Sequence, residues 1–216
     1  MDRIADNGWN VVQGCTRISA GCRRCYVATE LGDAFHKIVC REDLLDLPSR
    51  CRAPRMFFVS DDGDLMHEQV PDDFIHRVIE TMRASPKHGF MVCTKRSARL
   101  ADFTWPSNVA VGVSAENQAT FDARVPDLLR TVCTERFISM QPLLGPISMG
   151  DIYVNWVTVG AEYGAGAEAL DEDWVRALRD ESHLRGVAFT YQQNMIAGVR
   201  VLFPKLDGKK HYLTKD

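Results

Sequence analysis

Met56-Phe57-Phe58-Val59-Ser60-Asp61-Asp62, then a stretch from Pro71 to Ala84, then Phe90-Met91-Val92-Cys93-Thr94 follow one another along the chain. The first and last are short apolar runs of β-branched and aromatic residues, the pattern of strands buried on both faces. Between them Phe74, Ile75, Val78, Ile79 and Met82 recur at helical spacing, so that segment has one apolar face. Strand, helix and strand in this order form the right-handed βαβ unit of a parallel sheet.

The unit repeats downstream. Val109 to Val113, Arg136 to Ser139, Trp156 to Gly160 and Val187 to Tyr191 read as further strands, and Trp9-Asn10-Val11-Val12-Gln13 can supply one more. Helical patterns from Gln118 to Arg130 and from Asp171 to Leu184 separate them. The second opens with acidic residues around Trp174, which suit the positive end of a helix. About six parallel strands alternating with helices predict an α/β fold, as an open doubly wound sheet or a complete or partial β/α barrel. In both, functional side chains gather where strands end and loops begin. The strand ends here are polar: Ser60-Asp61-Asp62, Thr94-Lys95-Arg96, Ser114-Ala115-Glu116-Asn117, Gln141 and Glu162.

A chain of 216 residues with 45% hydrophobic and 25% charged residues reads as one globular domain over residues 1–216, with no internal repeat or low-complexity linker. No apolar run is long enough to cross a bilayer, and the first residues carry no secretory core, so a cytoplasmic location without a membrane partner is expected. The net charge of -3 argues against a broad nucleic-acid footprint. It leaves room for a local basic groove. Arg17, Arg23 and Arg24, then Lys95, Arg96 and Arg99, then Lys205, Lys209 and Lys210 form three groups, although such groups are most often solvated surface.

Seven cysteines are an odd number in a chain without a secretion signal, which disfavours a complete disulfide framework. Three of them lie in Gly14-Cys15-Thr16-Arg17-Ile18-Ser19-Ala20-Gly21-Cys22-Arg23-Arg24-Cys25-Tyr26, directly after the first strand. Soft thiolates bind iron-sulfur clusters or zinc, and a Cys-x-x-Cys pair lets one short loop present two sulfurs to one site. Three thiolates on a cubane leave one iron open to a small molecule. A structural zinc site would need a fourth ligand from His36, Cys40 or His67. A redox dithiol of Cys22 and Cys25 leaves Cys15 without a role. The favoured reading is a 4Fe-4S cluster on Cys15, Cys22 and Cys25.

With Trp9-Asn10, Gly14-Cys15-Thr16, Gly21-Cys22 and Cys25-Tyr26 go further matches almost end to end: Asp64 to Glu68, Thr94-Lys95-Arg96, Gly112 to Asn117, Pro142 to Pro146, and Leu206-Asp207-Gly208. Together they resemble a phage-associated radical S-adenosylmethionine (SAM)-like family related to spore photoproduct lyase. The resemblance implies a partial β/α barrel, a 4Fe-4S cluster and SAM bound across the strand ends. It further implies that one electron from the cluster cleaves SAM to methionine and a 5'-deoxyadenosyl radical, with a flavodoxin or ferredoxin as reducing partner. Where that family carries Ser-x-Glu-Pro-Leu-Leu, this chain has Ser139-Met140-Gln141-Pro142-Leu143-Leu144. Where it carries Lys-Gln, this chain has Gln192-Gln193, and Gly-Gly-Glu-Ser becomes Gly160-Ala161-Glu162-Tyr163. Two of these changes remove a charge from the site.

Roles follow from the same resemblance. Ser60, Asp61 and Asp64 would receive the SAM amino group, and Lys95 or Arg96 its carboxylate. Ser114 and Glu116 suit the ribose hydroxyls, Gly160 and Glu162 lie where adenine could approach the backbone, and Tyr26 could pack on the adenine. The plainer readings are helix caps, surface ion pairs and a core tyrosine. Cys93, Gln141 and Gln192 are the candidates for catalytic contact. A thiol at Cys93 can give a hydrogen atom to a product radical, although a buried inert cysteine is the commoner case. The implied substrate is a thymidine carrying an amino-acid substituent, in phage DNA or as a nucleotide, acted on by an isomerase or lyase. The alternative is a zinc- or cluster-stabilised phage factor that binds nucleic acid or protein without SAM chemistry.

Overall fold

The computed structural model describes residues 7–212 apart from residues 165 and 168. The chain opens with β1 (Asn7–Trp9), β2 (Val12–Gln13), α1 (Tyr26–Leu31), β3 (Val39–Cys40) and α2 (Leu47–Arg50). Then come β4 (Met56–Val59), α3 (Asp72–Arg83), β5 (Gly89–Thr94), β6 (Val109–Ser114), α4 (Gln118–Arg130), β7 (Glu135–Met140) and β8 (Trp156–Gly160). The last elements are α5 (Glu172–Leu184), β9 (Ala188–Ile196), β10 (Val199–Leu202), β11 (Lys205–Leu206) and β12 (Lys209–Lys210).

One eight-stranded sheet in the order β1-β4-β5-β6-β7-β8-β9-β10 carries the fold. All its neighbours pair in parallel except β9 and β10. This is the expected α/β architecture of a partial β/α barrel, with more strands than the six anticipated. The difference arises at both ends of the chain. Trp9 to Gln13 is not one strand: Val11 N–H turns back to the Trp9 carbonyl at 3.0 Å, so Asn7–Trp9 joins β4 while Val12–Gln13 pairs antiparallel with β3. At the other end β9 runs on to Ile196 and returns as the antiparallel edge β10.

Residues alternate between the two faces of each strand, so every strand contributes one row to the helix side and one to the barrel interior. The helix side holds the main core. There α3 buries Phe74, Ile75, Val78, Ile79 and Met82, the five residues its spacing singled out, and β6 is buried at every position. Among the described residues no helix is long and apolar enough to cross a membrane.

The interior row changes character along the strands. At its start Met91, Ala110 and Phe137 form a second cluster with Met56, Phe58, Cys93 and Trp156. Phe137 and Trp156 stack with centroids 4.9 Å apart and planes within 2°. Gly112 permits this, because a Cβ there would stand 2.5 Å from the Phe137 ring. Two residues beyond the level of Cys93, Gly112, Phe137 and Trp156 the row turns polar, with Ser114, Ser139 and Thr158. The interior is thus closed at the amino ends of the strands and open at their carboxyl ends.

Candidate active site

A cavity of about 220 Å³ lies at the carboxyl ends of β4 to β7, and the loop of residues 14–26 forms part of its wall. Cys15, Cys22 and Cys25 all line it. Cys22 closes a turn of 3-10 helix, Ala20–Cys22, and Cys25 stands immediately before α1. The other four cysteines are also unpaired; of these Cys40, Cys51 and Cys133 pack against the main core, and Cys93 alone lines the cavity.

Successive strand ends fasten the cysteine loop. After β4, Asp61 accepts a 2.6 Å hydrogen bond from the Tyr26 hydroxyl, and the Asp62 carbonyl accepts from Gly14 N–H at 2.9 Å. After β5, Arg96 donates to the Thr16 carbonyl at 3.0 Å, the Thr16 hydroxyl at 2.6 Å and the Cys15 sulfur at 3.4 Å. The same guanidinium pairs with Asp64 at 3.2 Å and Glu68 at 2.8 Å. After β6, Glu116 accepts from Gly21 N–H at 3.3 Å and from Arg124 of α4 at 2.8 Å. After β8, Glu162 pairs with Arg24. Charge-assisted bonds of this kind hold a loop more firmly than neutral ones.

The electrostatics follow from these contacts. Burial pushes the Cys15 thiol up and Asp64 adds to it, against the opposing pull of Arg96. At Cys22 burial is outweighed by hydrogen bonding at Ile18 and Ser19 and by the Lys95 charge, so that thiol is held below its ordinary value. Burial raises the Cys93 thiol, whose sulfur sits 3.5 Å from the Ser114 hydroxyl, and keeps it protonated. Burial and Asp61 push the Tyr26 phenol well above the usual range, so it remains a donor to Asp61. Glu116 is only 1% exposed, yet Ser19, Arg124 and Gly21 overcome its burial and hold it below the usual carboxylate range.

His67 is fully buried, with Nδ1 accepting from Gln69 N–H at 3.1 Å and Nε2 3.0 Å from the Thr16 hydroxyl. Burial and then Arg96 lower its pKa, so it is neutral in the fold. A depressed folded pKa gives stability that is present above the unfolded value of about 6.5 and lost as pH falls through the folded one. We therefore expect the urea midpoint to drop between pH 7.5 and pH 5.5, and the drop to shrink in His67→Gln. An equal drop in the variant would show that another group is responsible.

Of the residues singled out from sequence, Tyr26, Ser60, Asp61, Asp64, Lys95, Arg96, Ser114, Cys93 and Gln141 line the cavity with the three cysteines. Glu116, Gly160, Glu162 and Gln192 stand outside that wall. Several are already engaged. Asp64 is 5% exposed and accepts from Met66 N–H, the Thr94 hydroxyl and Arg96, so it caps a turn and closes an ion pair. Ser60, at φ 59°, accepts from Val12 N–H. The space above Gly160 is taken by Gln193 and Gln141, whose Cγ atoms would lie 2.8 and 3.2 Å from a Cβ. Glu162 Oε1 is buried without a partner among the described residues. Lys95 faces the cavity with no hydrogen-bond or ion-pair partner among the described residues. Gln141 and Gln192 meet: Gln141 Nε2 donates to Gln192 Oε1 at 2.9 Å and to the Thr158 hydroxyl at 2.7 Å.

Sequence reasoning passed over Arg124 and Thr158, and it named Arg24 only within a basic group and Thr16 only within the cysteine motif. Arg124 left a readable signal, because it interrupts the apolar stripe of Phe121, Val125 and Leu128 on α4. A cation inside a buried stripe needs a buried anion. Thr158 carries no local pattern, and nothing local tells what Arg24 and Thr16 bind.

The thiol set suits an iron-sulfur cluster: three soft donors on one loop beside an open cavity, with Arg96 already donating to one sulfur. Among the described residues no three Cys, His, Asp or Glu side chains converge to hold a single metal ion. A cubane is ligated at separate corners and does not require that convergence. His67, a candidate fourth zinc ligand, has both ring nitrogens engaged within the protein.

The fold and site define an α/β partial barrel with a three-cysteine loop over its strand ends. Residues 3–198 match the family described as "Protein of unknown function (DUF5131)", and the chain belongs to that family. No curated protein matches it. Among solved structures it is similar to a spore photoproduct lyase variant with bound AdoMet and dinucleoside spore photoproduct, at 14% identity and a TM-score of 0.53. It is equally similar to the lyase complexed with the dinucleoside spore photoproduct, and at 15% identity to a further variant of that enzyme. Each match covers 81% of this chain and 60% of the lyase, so the likeness is one of fold over part of a longer protein.

Proposed function

We propose that this protein is a radical SAM enzyme that acts on a modified thymidine. The observation that carries the proposal is the meeting of Cys15, Cys22 and Cys25 in the wall of one cavity at the strand ends of a partial barrel. The fold shared with spore photoproduct lyase, including a lyase variant with AdoMet bound, supports it. A 4Fe-4S cluster on the three thiols, with SAM at its open iron, would supply a 5'-deoxyadenosyl radical to the cavity.

The chain's own residues have separate tasks in this reading. Arg96 and Glu116 position the cysteine loop rather than meeting SAM directly. Lys95 is the cation left to face the SAM carboxylate. Tyr26, fixed by Asp61 and stacked on Tyr163 at 5.8 Å, forms one wall for a planar ring. Cys93 keeps its proton and stands at the boundary between the apolar plug and the polar layer, where it would return a hydrogen atom to a product radical. The substrate in this reading is an amino-acid-substituted thymidine of phage DNA, or its nucleotide, rearranged on the ring substituent. A host flavodoxin or ferredoxin would supply the electron.

The test is anaerobic reconstitution with iron and sulfide, electron paramagnetic resonance of the reduced protein with and without SAM, and an assay for 5'-deoxyadenosine. We expect a cluster signal that changes on adding SAM, and cleavage that disappears in Cys15→Ala. Stoichiometric zinc with no SAM response would overturn the reading and favour a metal-stabilised binding factor.

A further inference from the structure

Gln141 and Gln192 are joined through Thr158 in a way that leaves a defined pair of groups unused. Gln141 Nε2 spends both of its protons, on Thr158 Oγ1 at 2.7 Å and on Gln192 Oε1 at 2.9 Å. Gln192 Oε1 spends both lone pairs, on Gln141 Nε2 and on the Thr158 hydroxyl at 3.2 Å. The reciprocal bond that would close two amides into a ring is absent. One carbonyl oxygen, Gln141 Oε1, and one NH2 group, Gln192 Nε2, therefore have no partner among the described residues. Neither is sealed from solvent, since both residues are half-buried and neither atom counts among the buried unpaired ones. Reversing both amides keeps the three bonds and exchanges which glutamine offers the carbonyl, so one acceptor and one donor stay free in either arrangement.

The surroundings keep this pair neutral. Gln141 lines the cavity just after β7, Gln192 is the extra residue where the β8–β9 register shifts and reaches Thr158 and Gln141 from just outside the cavity wall, and Gly160 on β8 leaves room for the Gln141 side chain. The interior positions of the same layer are Ser139 and Thr158, and neither is ionisable. Arg24, Arg96 and Arg124 are engaged with Glu162, Asp64 and Glu116, and Lys95, which does face the cavity, bonds to neither glutamine. A charged ligand edge would find no counter-ion at the amides. An uncharged edge with a donor beside an acceptor would satisfy both.

We infer that the Gln141–Gln192 pair determines specificity by reading a neutral donor–acceptor edge of a heterocycle. It rests on the reading of the substrate as a modified thymidine, for which that edge is the ring N3–H and a flanking carbonyl. Two amide contacts to a base edge, one from each glutamine, discriminate as a bidentate pair does, and their loss weakens binding by about tenfold. Thr158 positions the pair and need not touch the ligand.

The test compares thymidine 5'-monophosphate with its N3-methyl counterpart by calorimetry on the full chain, as wild type and as Gln192→Glu. The glutamate is nearly isosteric, accepts from Gln141 as before, and removes the free donor. Thermal melting checks that the fold is kept. We expect the methylated nucleotide to bind the wild type about tenfold more weakly, and Gln192→Glu to lose affinity for the parent nucleotide and most of the discrimination. Equal binding of the two nucleotides by the wild type, an unaltered preference in the variant, or binding of neither at millimolar concentration overturns the inference. SAM cleavage is read separately. Discrimination without SAM cleavage would overturn the radical reading and leave the amide pair standing, and cleavage without discrimination would do the reverse.

Discussion

Exchanging Arg96 for methionine will lower the stability of the protein by about 3–5 kcal/mol and loosen the first cysteine of the loop. The Arg96 and Asp64 side chains are only 9% and 7% exposed, so neither charge is screened by water to any extent. Without the guanidinium, Asp64 keeps Met66 N–H and the Thr94 hydroxyl but loses its counter-charge in a buried site. Methionine fills comparable space, so the loss reports on the pair and on the bonds to Thr16 more than on a cavity. Arg96→Lys should fall between the two, since an ammonium keeps the charge but cannot reach Asp64, Glu68 and Thr16 at once as the planar fork does. Urea denaturation gives the stability. Iron bound per chain after reconstitution gives the second consequence, because Thr16 and the Cys15 sulfur lose their shared donor. A methionine variant that unfolds at the wild-type urea concentration would show that Arg96 is not what secures this end of the loop.

The elements that sequence reasoning found are those whose pattern is local. The residues of α3 follow one another at helical spacing, and β6 is apolar throughout because both its faces are covered. The cysteine loop was legible for the same reason: its donors lie within one short segment. The fastening of that loop was not legible, because its partners are 80 residues apart for Arg96 and Thr16, 95 for Glu116 and Gly21, and 138 for Arg24 and Glu162. Polar strand ends advertise that something is held there, without saying whether it is a ligand or the protein's own loop. Asp64, Arg96 and Glu116 are given to the loop, which leaves Lys95 and the neutral layer of Cys93, Ser139 and Gln141 facing the cavity. Gln141 and Gln192 show how two separate sequence departures can have one structural cause. Where the resemblance would put a glutamate and a lysine, two amides hydrogen-bond to each other, so the charges vanish together and neither is left without its counter-ion.

Gly14→Ala should have a comparable effect through the backbone alone. Gly14 sits at φ +88°, and a Cβ there would lie 2.2 Å from the Lys37 carbonyl oxygen and 3.1 Å from that of Phe35. The left-handed conformation by itself costs a side chain about 1–2 kcal/mol. Relieving the clash adds about 1–3 kcal/mol, the usual range for forcing atoms into packed structure. The segment has little freedom to yield. Gly14 N–H is bonded to the Asp62 carbonyl at 2.9 Å, and Cys15 N–H to the Phe35 carbonyl at 2.7 Å. Any shift is passed to Cys15, so iron binding should fall together with the urea midpoint. Gly186 supplies the control: it also has positive φ, at +66°, but open space where a Cβ would go. Gly186→Ala carries the conformational cost without the clash. The excess loss in Gly14→Ala over Gly186→Ala therefore measures how tightly residues 35–37 press on the start of the cysteine loop. If the two variants lose the same stability and bind the same iron, the Lys37 carbonyl gives way freely, and the position of Cys15 is set by Arg96 and Thr16 alone.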